Sequence, residues 1–174
     1  MSPGPDLASL FQLFPPASYL REFDVVPADQ VPEPYHRLLV HEHHMTVTVE
    51  EHHGSLVDVL VLDKKRSGDS YARKILLAKQ SDGKIVMFGL VRIWLNYCNP
   101  EVSAAIVSEK TPIGRILIEH NVLRRIEPTD FFRITPGPDM MQWFSLATPT
   151  YGQLALIHCD GTPAVELLEI VAPE

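Results

Sequence analysis

The chain has 174 residues, a formal net charge of −7, 45% hydrophobic and 21% charged residues. That length suits one domain able to bury roughly 70% of its unfolded surface, and the composition excludes a disordered chain. The acidic balance excludes nucleic acid as the main partner, because phosphate binding needs a concentrated basic face.

Met1-Ser2-Pro3-Gly4-Pro5-Asp6 has neither the positive region nor the apolar core of a secretory signal. The longest unbroken apolar run, Ile85 to Val91, is too short to span a bilayer, so no membrane association is expected. The two cysteines, Cys98 and Cys159, make neither a metal pair nor a disulfide framework, and a cytoplasmic location is expected.

Residues 1 to 34 are rich in proline and read as a segment packed on the domain that follows. Within it, Leu7 to Phe14 is a short helix with Asp6 as cap, and an irregular path then leads to Tyr35. Tyr35 to His44 suggests a second short helix. Met45 to His53 stays open: its threonines and valines favour a strand, whereas Thr48 with Glu51 suits a capping box. Ser55 to Asp63 reads as a buried strand, and Lys64-Lys65-Arg66 as a solvated turn. Turns at Ser67-Gly68-Asp69 and Ser81-Asp82-Gly83 join it to strands over Ser70 to Gln80 and Lys84 to Leu95, all antiparallel.

Helix starts follow at Asn99-Pro100 and Thr111-Pro112. Val122 to Ile134 reads as a strand interrupted near Pro128, and Pro138 to Leu146 as a short amphipathic helix. Thr150 to Cys159 and Pro163 to Ala172 are the last strands. The expectation is an α+β domain over residues 35–174, with about six mostly antiparallel strands and short helices.

Residues two apart in a strand share a face. Arg73 therefore lies with Tyr71, Ile75 and Leu77, and Arg92 with Phe88, Leu90 and Trp94. A guanidinium on an apolar face needs a partner, and its fork suits a carboxylate. On the last strand Glu169 shares a face with Val165, Leu167 and Val171. Two arrangements fit these residues: Arg73 and Glu169 pair with each other, or they face a small anionic ligand. His41-Glu42-His43-His44 and His52-His53 lack the His-Glu-x-x-His spacing, and no acidic or cysteine partner recurs at ligand spacing, so no metal is expected.

Leu38-Leu39 with Met45-Thr46, the strand Tyr71-Ala72-Arg73-Lys74-Ile75-Leu76-Leu77, Lys110-Thr111-Pro112-Ile113-Gly114-Arg115, and Gly161-Thr162-Pro163 with a late glutamate occur in an order that resembles the chorismate pyruvate-lyase family. The resemblance runs from about residue 35 onward. It implies a six-stranded antiparallel sheet whose helices cover a buried ligand pocket. It also implies conversion of chorismate to 4-hydroxybenzoate and pyruvate, a carbon–oxygen lyase reaction with no cofactor. The family's contacts map onto Met45, Arg73, Ile113 and Glu169. Arg73 would bind the ring carboxylate, Glu169 the ring hydroxyl, and Met45 with the backbone near Ile113 would close around the ring. The family has a second arginine just after a glycine of its third strand. Gly89 is here followed by Leu90, so Arg92 is the candidate for that place.

Two other functions fit the same residues: a non-catalytic binder of a small aromatic or cyclic carboxylate, and a related lyase or isomerase acting on another carboxylate. By resemblance, this fold also forms the effector-binding half of some transcription regulators. Residues 1 to 34 are too short and too proline-rich for a winged helix.

Overall fold

Asp6 caps the first helix, α1 (Leu7–Gln12), by accepting from the N–H groups of Ala8 and Ser9. The structure is a computed structural model and describes residues 6–15 and 20–174. Pro3, Pro5 and Pro16 lie outside them, as does part of the irregular path expected after Phe14. Leu20–Val26 is a strand, β1, where the proline count predicts none. No proline falls inside those seven residues, so each N–H is free to join a ladder.

Two helices follow, α2 (Tyr35–Leu39) and α3 (Met45–His53). α3 resolves the ambiguous stretch: His44 is the N-cap, left-handed Gly54 ends the helix, and Met45 and Val49 are buried four residues apart. Burial of that face outranks the strand propensity of Thr and Val. Thr48 does not open a capping box; its hydroxyl donates back to the His44 carbonyl at 3.3 Å.

The strands β2 (Val57–Ser67), β3 (Ser70–Lys79) and β4 (Ile85–Trp94) form antiparallel hairpins. Gly68 and Gly83 supply the positive φ that turns this tight require. β2 differs from expectation in being an edge strand. Val57 and Val59 are buried, but Leu60 is 43% exposed, because α1 and α6 (Pro138–Phe144) lie over the middle of the sheet. Lys64-Lys65-Arg66 belongs to the outer half of β2, and the turn comes after it.

The remaining elements are α4 (Pro100–Val107), α5 (Ile113–Glu119), β5 (Arg124–Pro136), β6 (Thr150–Cys159) and β7 (Thr162–Val171). Asn99 caps α4 by accepting from Val102 N–H at 2.9 Å. The sheet has seven strands where six were expected, in the order β1-β5-β6-β7-β4-β3-β2, every pair antiparallel. β1 is the added strand. β7, last in the chain, pairs with both β4 and β6 and joins the two halves.

The sheet is the middle of three layers. One face carries α1 and α6, with Leu10, Phe14, Met140 and Phe144 packed on Ala72, Leu76, Phe88, Leu90 and Leu168. The other face carries two apolar clusters. α4 and α5 cover Tyr71, Val91, Ile93, Val165 and Leu167. α2 and α3 cover Ile75, Leu77, Met87 and Val171. Arg73 and Glu169 lie on this second face, at the seam between the clusters. A register shift between Pro128 and Asp130 moves β5 from one face to the other: Ile126 packs with α5, whereas Phe132 and Ile134 pack with α6.

Gly152 is where β6 and β7 run closest. A Cβ there would stand 2.7 Å from the Glu169 carbonyl oxygen and 2.9 Å from Ile170 Cγ1. Backbone in mid-sheet cannot step aside, so Gly152→Ala should cost about 1–3 kcal/mol. Urea unfolding reads this as a lower midpoint, and an unchanged midpoint would show that the two strands relax freely.

Candidate ligand-binding site

Strand register assembles the floor of the site. Arg73 stands opposite Val91, and Val91 opposite Leu167. One step along, Ile75, Gly89, Glu169 and Gln153 form the next row. Two strands across and two residues along put the Arg73 and Glu169 Cα atoms roughly 12 Å apart. Gly89 lies between Ile75 and Glu169, and a Cβ there would come within 3.1 Å of Ile75 Cγ1. Its missing side chain leaves the floor open.

The start of α3 and the start of α5 make the roof. His44, Met45 and Thr46 face Pro112, Ile113 and Gly114 across a cavity of about 40 Å³, which Arg73 and Glu169 also line. A Cβ on Gly114 would meet Thr46 Oγ1 at 2.9 Å and His44 Cβ at 3.0 Å, so only glycine lets the helices approach this closely. An ion pair between Arg115 of α5 and Glu50 of α3 fastens them outside the cavity. His43, His44 and Ile126 also border an outer groove of about 570 Å³, rimmed by Arg124 and Arg125.

The polar groups inside are short of partners. Arg73 is 0% exposed, and only its Nη2 has a hydrogen-bond acceptor within the protein, the Thr111 carbonyl at 3.3 Å. Its Nε and Nη1 have none. Burial lowers the Arg73 pKa, while Tyr71 and Glu109 favour the charge. Glu109 accepts from the Tyr71 hydroxyl at 3.3 Å and pairs with Lys64 at 2.7 Å. Glu169 is largely buried, and desolvation pushes its pKa up to about 7, although the hydrogen bond from Gln153 Nε2, at 3.2 Å, favours the carboxylate. His44 is pushed down to about 4, by burial first and then by Arg124 and His43, so at neutral pH it is uncharged. His44 Nε2 and Gln153 Oε1 are buried without partners.

Of the residues that the sequence singles out, Met45, Arg73, Ile113 and Glu169 line one cavity. Arg73 and Glu169 form no ion pair, which removes the purely structural reading of the two. Arg92 is a correction. It stands opposite Ala72 and Glu166, on the α1/α6 face, and pairs there with Glu166, its Nε donating to Oε2 at 2.9 Å. Moving two residues along from Leu90 keeps the wrong face, since Gly89, not Leu90, shares a face with Arg73.

Sequence reasoning did not identify His44, Gln153, Gly89 or Gly114 as parts of the site. His44 was grouped with its histidine neighbours, yet both ring nitrogens of His41 meet backbone groups: Nε2 lies 2.6 Å from the Leu38 carbonyl, and Nδ1 accepts from His43 N–H at 3.0 Å. Gln153 carries no local signal. It joins the site only because β6 pairs with β7.

No family model matches the chain, and no curated protein matches it in sequence. The solved structures do. PhnF from Mycobacterium smegmatis superposes with a TM-score of 0.58 at 10% identity, covering 78% of this chain and 66% of that one. The possible transcriptional regulator YydK from Bacillus subtilis subsp. subtilis str. 168 gives 0.45 at 10% identity, covering 66% and 57%. The fold is chorismate lyase-like. At this identity the likeness extends to the fold alone, and this chain spans about two thirds of PhnF's length. Within the chorismate lyase-like fold, the cavity of this chain lies on the helix-covered face just described. No helix among the described residues is long and apolar enough to cross a membrane.

Proposed function

We propose that this domain binds a small carboxylate under the α3–α5 roof, with Arg73 as its anchor, and that it does so without turnover. The observation that carries this reading is a fully buried guanidinium with two of its three nitrogens left without acceptors. An unpaired buried charge costs several kcal/mol, and a ligand carboxylate accepting from Nε or from Nη1, which lie on different edges of the guanidinium, would offset part of that cost. α3 has no side-chain cap, so its first-turn N–H groups add to the positive field. Glu169, which is near half protonation at neutral pH, would hydrogen-bond a hydroxyl at the far end of the ligand.

The volume sets a condition on ligand size. About 40 Å³ holds a few waters, whereas a cavity of roughly 150 Å³ admits benzene. A cyclic acid therefore enters as α3 and α5 part at the His44–Gly114 contact. Lyase chemistry on chorismate is the second reading, favoured by Met45, Arg73, Ile113 and Glu169 lining one cavity. Against it, Arg92 is committed to Glu166 on the other face, so the second carboxylate of such a substrate has no buried cation.

Thermal shift and calorimetry with 4-hydroxybenzoate, benzoate and acetate, beside a pyruvate-release assay on chorismate, separate the readings. We expect the ring acids to stabilise the protein and no pyruvate to form. Pyruvate release would establish the lyase, and indifference to every carboxylate would defeat both.

A further inference from the structure

The far end of α3 holds a cluster that the cavity does not use. His52 and His53 close the helix, and Glu174, three residues past β7, folds back onto them. Each offers one ligand atom, and the three atoms lie within 4.8 Å of one another. His52 Nε2 and Glu174 Oε1 are 2.8 Å apart, and the two imidazoles meet edge to face with centroids 4.8 Å apart. Glu174 is held in place by its own N–H, which donates to the Tyr35 hydroxyl at 2.7 Å.

We propose that His52, His53 and Glu174 form a site for a divalent transition metal, with zinc the best fit. Two imidazoles and a carboxylate are a three-ligand zinc set that leaves a fourth position for water. The nitrogens disfavour magnesium and calcium, which take oxygen ligands. The metal would clip α3 to the segment after β7. α3 begins at Met45 and β7 carries Glu169, so the clip would brace the roof of the cavity against its floor. The metal site stands independently of what the cavity binds.

The test is titration of the metal-free full chain with zinc chloride, by calorimetry and native mass spectrometry, with melting temperature as a second readout. We expect one zinc per chain, a raised melting temperature, and no response to magnesium chloride. His52→Asn and Glu174→Gln should each weaken zinc at least about 10-fold. A His41→Asn/His43→Asn double variant should leave it unchanged, because the His41 nitrogens already meet backbone groups. The replaced groups at His52 and Glu174 are partly solvent-exposed, so those variants should still fold. Absence of zinc binding by the wild type, or binding that neither His52→Asn nor Glu174→Gln weakens, overturns the site.

Discussion

Arg73→Met is expected to abolish carboxylate binding and, at the same time, to raise the melting temperature of the unliganded protein. The two effects share one cause. The guanidinium is fully buried and two of its nitrogens have no acceptor, so the unliganded fold bears its desolvation without full compensation. A methionine, which reaches about as far as the arginine Nε, keeps the apolar stem without the charge, at the cost of the donor to the Thr111 carbonyl. The gain should be about 1–3 kcal/mol, or roughly 3–10 °C for a chain of this size. Loss of a buried charge-assisted pair should weaken a ring carboxylate by at least about 30-fold. A variant that melts lower yet still responds to ligand would place the carboxylate elsewhere and leave Arg73 a structural residue.

Glu169→Gln should change how stability depends on pH. The folded carboxyl has its pKa near 7, above the ordinary 4.5, because it is desolvated. Between those values the folded state holds more protons than the unfolded state, so this group's contribution is full below pH 4.5 and lost as pH rises through 7. The loss is on the order of 3 kcal/mol. His44 acts in the opposite sense. Its folded pKa is near 4, so its contribution is full above its ordinary value of 6.5 and falls away as pH drops towards 4. Subtracting variant from wild type isolates the carboxyl, because His44 is common to both. The amide should leave stability at pH 5 near wild type and raise it at pH 8, and parallel curves from pH 4 to 9 would mean that Glu169 is hydrated.

The strands and turns were legible because their signals are local. Gly68 and Gly83 lie where the chain must adopt positive φ, and the alternation through Tyr71 to Leu77 marks one face of β3. Asn99-Pro100 announces α4 in the same way. β1 was hidden because the prolines that break the chain on either side do not fall within it. α3 was ambiguous because Thr and Val speak for a strand, whereas burial of Met45 and Val49 by packing decided for a helix.

In the site, residue type alone singled out Arg73 and Glu169, since a charge on an apolar row is conspicuous in any register. Their separation was beyond the sequence, and so was the fate of Arg92. Face parity within one strand is a local property, but which carboxylate stands across from a guanidinium depends on how β4 pairs with β7, about 80 residues later in the chain. The same pairing brings Gln153 beside Glu169. Return of the chain past β7 likewise brings Glu174 to His52, 122 residues away. The sequence by itself determined which side chains carry charge into the apolar face and where the chain turns. Only the tertiary structure decided which of those charges find partners, because burial and strand pairing are set by segments far apart in the chain.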